Sequence, residues 1–204
     1  MPIFQSLQTI FVTNGLVLLM PGLNITMLVY ILVERGKKQG FFCALGISSA
    51  IALHTMIANM GIFCFGCVSD QYTSFVKGAG ATFLIYMAIV TWKSGDRDNQ
   101  NYPVLKLKKK IISFRQGFFT DLLNPIICAF HIALATQIIN KSTTILEFSI
   151  YTGFTVFLNF VWFLGAVHVF SQPFFYKFFL ENKKTLRICS VLLFLYVGFS
   201  VVFY

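Results

Sequence analysis

The sequence predicts an all-α integral membrane protein with six transmembrane helices in two three-helix halves, and three observations carry that prediction. Of the 204 residues 57% are apolar and 11% charged, with a mean hydropathy of +0.76, whereas a soluble domain carries about a quarter charged residues. Several stretches of about 20 residues hold one charge or none, the length that crosses about 30 Å of hydrocarbon as a helix. Those stretches are continuously apolar and do not alternate with period two, which favours helices over a barrel. One membrane domain over residues 1–204 is the only division the pattern supports.

The first span covers about residues 4–33. Its start, "MPIFQSLQTIFVTNGLVLL", has no basic region ahead of the apolar run, so it reads as a retained helix and not a secretory signal. Unbroken, residues 3–33 would form a helix of about 46 Å, far longer than the hydrocarbon needs. Pro21 and Gly22 interrupt it, removing a backbone donor and loosening the chain, and such a break inside a bilayer needs other groups to satisfy the freed carbonyls. Asn24 and Thr26 are within reach.

The second span, 40–66, carries Ala44, Ser48, Ala52, Thr55 and Asn59 on one helical face with His54 at its edge. Stripes of small residues are first of all packing seams, because they let helices approach closely. The third, 73–92, opens on a similar run, "KGAGAT". A basic loop over 93–115 separates it from the fourth span, 116–139. The fifth, 146–170, places His168 near its end, and the sixth covers 187–204.

The fourth span holds the least ordinary stretch, "QGFFTDLLNPI". On a 100° wheel Gly117, Asp121, Asn124, Cys128, His131 and Ala135 fall within an arc of about 80°. A polar stripe in lipid must face protein or a water-filled cavity, since a charge at mid-membrane costs on the order of 3 kcal/mol. Asp121 lies six residues beyond Arg115, and its single methylene cannot lift the carboxylate to the surface as a lysine stem can. It is read either as half of a structural ion pair with a basic residue or as a proton- or cation-binding carboxylate. His131 is a candidate proton relay or a structural histidine bonded to a neighbouring helix. Asn124 precedes Pro125, so the first helix of each half is interrupted by proline beside an asparagine, the pattern of a transporter whose site lies between broken helices. "QGFF" occurs at 39–42 and at 116–119, but these copies open helices that run the same way, so they are not equivalents in an inverted repeat.

The formal charge is +9. Assigning loops alternately to the two sides puts fourteen of the sixteen Lys and Arg on one side, in the segments 35–38, 93–115 and 177–187, and only Lys77 and Lys141 on the other. The positive-inside rule then places both termini outside the cytoplasm of a bacterial inner membrane. The basicity is thus a topological address with some attraction to anionic lipid, and no nucleic-acid partner is expected. Five scattered cysteines give no disulfide framework. "CFGC" at 64–67 lacks a second ligand pair, and neither a metal nor a cofactor is expected. "NKS" at 140–142 matches a glycosylation pattern that is common by chance.

"PGLN" at 21–24, "RGKKQGFFCALGI" at 35–47, His54, Gly61, "VKGAGATFLIY" at 76–86 and "FRQGFFTDLLNP" at 114–125 together resemble the LysE/RhtB family of bacterial amino-acid exporters. The match covers most of the first 130 residues, and beyond it Trp162 is the main landmark. The resemblance implies a six-helix inner-membrane protein that expels amino acids or related small metabolites, with protons as the coupling ion. It carries the family's motif positions onto Pro21, Gly22, Asn24, Asn124 and Pro125. With Asp121 these are the primary candidates for a substrate or ion pathway; His54, Asn59 and His131 are secondary.

This chain departs from the family at the motifs. Leu23 stands where a second proline is usual, Asp121 where asparagine is frequent, and Ile126 where a lysine follows the Asn-Pro. An acidic group in place of a basic one predicts a preference for neutral or cationic substrates over acidic ones. Rival readings are a divalent metal-ion exporter and a non-transporting membrane interaction protein. Enzymatic activity is not expected: Asp121 and His131 are about 15 Å apart along one helix, His54 reads as isolated, and no catalytic constellation appears.

Overall fold

The computed structural model describes residues 3–18, 23–66 and 110–182 without interruption, and isolated helical positions between 75 and 92 and between 184 and 199. The described residues form α1 (Ile3–Leu18), α2 (Leu23–Arg35), α3 (Lys37–Gly61, prolonged by a wider π-turn over Ile62–Gly66), α4 (Lys110–Leu122), α5 (Pro125–Ile138), α6 (Ile145–Phe170) and α7 (Pro173–Glu181). Two of these helices, over Lys37–Cys64 and Ile145–Phe170, are long and apolar enough to cross a membrane. The pair α4 and α5 meets the same test when taken together and is bent by 59° at its break. The expected interruption of the fourth span is therefore present. The one expected in the first span falls at Pro21 and Gly22, which lie outside the described residues, as does most of the predicted third and sixth spans.

Three boundaries differ from the sequence reading, each for a local reason. Helix α4 starts at Lys110, inside the stretch read as basic loop; the Lys110 ammonium sits 5.3 Å above the Phe42 ring, so its stem lies along apolar surface while the charge stays at the helix end. Only Gly36 separates α2 from α3, with φ 86° and ψ 170°, a conformation open essentially to glycine alone. The stretch after α6 forms the short helix α7, opened by Pro173 at its first position, where the missing N–H is harmless. Nine residues cannot span a bilayer, and the exposed Phe174, Phe175 and Phe178 give α7 an apolar face suited to the membrane interface.

Helix α3 is central: α2, α4, α5 and α6 all pack on it, and α4 most extensively. Helix α1 packs on α5 and α6, and α2 on α4 and α6. Exchanging α1 with α4, α2 with α5 and α3 with α6 maps the α3–α4 contact onto α6–α1, α3–α5 onto α6–α2, and α2–α4 onto α5–α1, and each of these pairs is in contact. Two apolar clusters fill the spaces between. One joins Ile10, Ala58, Phe130, Leu134 and Tyr151; the other joins Leu28, Ile31, Ile47, Ile51, Phe163 and Val167.

Candidate functional site

The candidate site grows out of one face of α4, on which Ser113, Gly117 and Asp121 follow one another four residues apart and are all buried. Gly117 lies against the backbone of α3, where an added Cβ would come within 3.0 Å of the Cys43 carbonyl carbon. Gly46 of α3 lies reciprocally against α4, where a Cβ would sit 2.8 Å from the Phe118 nitrogen. At the N-terminal end of the same seam Arg35 donates to the Gln116 carboxamide at 2.8 Å, and Ser113 donates to Gln39 at 3.0 Å. The seam sets the rotation of α4 and delivers Asp121, 0% exposed, to a junction of α2, α3 and α4.

Pro125 determines what happens there. In an uninterrupted helix the Asp121 carbonyl would accept the N–H of residue 125, and proline has none. The carbonyl instead accepts the Asn124 N–H at 2.8 Å and stands 3.3 Å from His54 Nε2. Because a carbonyl only accepts, this second bond assigns the Nε2 proton to His54. The Asn124 side chain accepts the Ile126 N–H at 3.0 Å and thereby caps the N-terminus of α5. One Asp121 carboxylate oxygen, Oδ1, accepts from Asn24 Nδ2 across 97 residues of sequence. The other, Oδ2, is buried without a hydrogen-bond partner among the described residues, 3.9 Å from His54 Nε2. Asn24 Oδ1 is likewise buried and without a partner among the described residues.

The remaining candidates divide. His131, 3% exposed, has Nδ1 3.3 Å from Thr55 Oγ1, and Thr55 also donates to the Ile51 carbonyl at 2.9 Å. Asn59 donates to Thr152 at 2.8 Å, and on α6 Asn159 donates to the Thr155 carbonyl at 2.8 Å. The Thr55–His131 contact ties α3 to α5, and the Asn59–Thr152 bond ties α3 to α6. The Asp121 junction therefore contains Asn24, His54, Asn124 and Pro125, while His131 and Asn59 occupy a separate polar stripe along α3. His168 is exposed and its ring stands 3.3 Å from the Lys37 ammonium.

Two expectations need correction. His54 is not isolated: it is the neighbour of both the carbonyl and the carboxylate of Asp121. No local signal could have announced this, since the two residues are 67 apart and the attraction follows from the carbonyl that Pro125 leaves short of a donor. Of the two readings of Asp121, the ion pair with a lysine or arginine has no counterpart among the described residues, where the partner is the Asn24 carboxamide. Sequence reasoning passed over Asn14 and used Trp162 only as a landmark; Asn14 Nδ2 and Trp162 Nε1 are buried donors without a partner among the described residues. No group of three or more His, Cys, Asp or Glu gathers among the described residues.

Long apolar helices, with one pair bent at a proline beside a buried carboxylate, define the class, a multi-helix membrane protein. The LysE type translocator family matches residues 16–204, and the chain belongs to that family. It is 24% identical to the uncharacterized membrane protein YrhP of Bacillus subtilis over 92% of both chains. It is 25% identical to the uncharacterized membrane protein YahN of Escherichia coli K12, over 82% of this chain and 77% of that one. No solved structure matches it. A LysE-type translocator moves a solute across a membrane, so the class is membrane transport.

Proposed function

We propose that this chain is a secondary-active exporter that moves amino acids or related small metabolites out across a bacterial inner membrane, driven by protons moving inward. The observation that carries the reading is Asp121: a fully buried carboxylate at a helix break, with one oxygen held by Asn24 and the other unpartnered beside His54. An acceptor left unsatisfied inside a membrane domain is costly unless a ligand or a proton completes it. The exchange of packing partners between α1–α3 and α4–α6 supports two related halves, each described over its first two spans, and the distribution of basic residues supports six spans with both termini outside the cytoplasm. The chain is then a single transport domain surrounded by lipid, and its pathway runs past Pro21, Gly22, Asn24, Asp121, Asn124 and Pro125.

Asp121 favours substrates bearing an ammonium group and no net negative charge. The test is overexpression followed by a toxicity screen with amino acids and their analogues, together with uptake of labelled L-threonine, L-lysine and L-glutamate by everted vesicles. Protonophore-sensitive uptake of threonine or lysine ahead of glutamate is the expected result. Faster glutamate uptake would overturn the charge preference, and no tolerance and no uptake for any compound would overturn the exporter reading.

A further inference from the structure

We infer that the coupling proton binds at Asp121 Oδ2 and that His54 is the positioning residue that reports its arrival to the break between α4 and α5. This rests on the exporter reading for the purpose of the proton, but on the geometry alone for its place. His54 Nε2–H has two acceptors within reach, both on one residue: the Asp121 carbonyl at 3.3 Å and the unpartnered carboxylate oxygen Oδ2 at 3.9 Å. One donor cannot serve both well, because hydrogen bonds weaken steeply with distance and angle. In the conformation described, the imidazole sits nearer the carbonyl.

Ionisation of Asp121 alters that choice. A carboxylate is a stronger acceptor than an amide carbonyl, so loss of the proton draws Nε2–H to Oδ2 and leaves the carbonyl with the Asn124 N–H as its remaining bond. Protonation forms an O–H bond at Oδ2 with a proton taken from water, and Oδ2 no longer competes for His54. Deprotonation returns the proton to water, and no other bond changes. The carbonyl concerned is the one that Pro125 deprives of its helical donor. The charge at Oδ2 therefore sets whether this carbonyl has one donor or two, at the point where α4 and α5 bend by 59°. Asn24, holding Oδ1 from the first residues of α2, connects the same event to α2.

The surrounding titratable groups are placed differently. On α3, Cys43 is buried at the Gly117 contact, and Lys37 and Lys38 are at the exposed end. On α2, Glu34 and Arg35 are at the C-terminal end, Arg35 bonded to Gln116, and Tyr30 is half-buried. On α4 itself, Lys110 and Arg115 are exposed. On α5, His131 is bonded to Thr55, and Cys128 is half-buried.

Infrared titration of the full protein reconstituted in lipid tests this without any substrate. The expected result is a carboxylic acid C=O band that converts to carboxylate with pH and is absent from Asp121→Asn. His54→Ala should displace its midpoint by about one pH unit or more, the size of effect that a lost charged or hydrogen-bonded neighbour produces. His54→Gln, whose amide nitrogen can occupy the place of Nε2, should restore the midpoint to within about half of that displacement. A band unchanged in Asp121→Asn would overturn the site, and a midpoint unmoved by His54→Ala would overturn the role of His54. Failure of the vesicle assay with these titrations intact would reject the exporter reading alone.

Discussion

Two successive turns on the same face of α4 behave in opposite ways. At Gly117 the helix meets α3 backbone to backbone, with no room for a single carbon. At Asp121, four residues on, the same face carries a carboxylate with one oxygen unpartnered and a histidine at 3.9 Å. The first contact is closed and apolar; the second is polar and incompletely satisfied. The difference teaches where motion can occur: α4 is held to α3 up to Gly117, so rearrangement is confined to Asp121 and beyond, where Pro125 has already removed a helical hydrogen bond.

The largest expected effect comes from breaking the closed contact. A methyl group at Gly46 or Gly117 collides with backbone atoms, which no rotamer change can relieve. Gly46→Ala and Gly117→Ala should each destabilise the protein in detergent by about 1–3 kcal/mol, the usual cost of overpacking, seen as a lowered midpoint of denaturation. Gly153→Ala, where a Cβ meets open space, is the matched control and should shift stability by less than about 0.5 kcal/mol. Equal behaviour of the three variants would remove the contrast between the two turns.

Next in size is Asn24→Ala, which deprives Asp121 Oδ1 of its donor. Leaving a buried acceptor unsatisfied costs about 1–3 kcal/mol. In an Asp121→Ala background that loss should largely disappear, because the two side chains then no longer share an interaction. A full additive loss in the double variant would show that Asn24 contributes to its own helix and not to the junction. Asn124→Ala should cost about 1 kcal/mol through the lost cap, and Asn124→Ser should recover most of it, since serine caps about as well. Loss of transport in a stable Asn124→Ser protein would show that the carboxamide does more than cap α5.

The fold was legible where hydropathy and proline act locally. The long apolar runs marked α3 and α6, and "LLNP" marked the bend between α4 and α5. The lysines at 106–110 hid the start of α4, because a charged residue at a helix end is indistinguishable in composition from one in a loop. The residues of the junction were legible singly, as Asn24, His54, Asp121 and Asn124, yet their pairing was not. Asn24 and Asp121 meet across 97 positions because α2 packs on α4, and His54 joins them because a carbonyl lacks a donor. Both causes lie in tertiary geometry, which a periodicity along one helix does not encode.

The smallest expected effect sharpens the boundary of the site. Asn59 is buried and polar on the same helix as His54, and by sequence it was an equal candidate. Its carboxamide, however, donates to Thr152 of α6 at 2.8 Å, and its nitrogen is therefore satisfied. Hydrogen bonds between helices within a membrane average about 0.6 kcal/mol, so Asn59→Ala should lower stability by about that amount and leave the transport rate and its pH profile unchanged. The physical reason is that Asn59 has no buried side-chain atom left without a partner among the described residues, in contrast to Asp121 Oδ2. If Asn59→Ala instead abolished vesicle uptake at normal expression, the polar stripe along α3 would belong to the pathway. The unsatisfied junction would then be one station of a longer route running between α3 and α6.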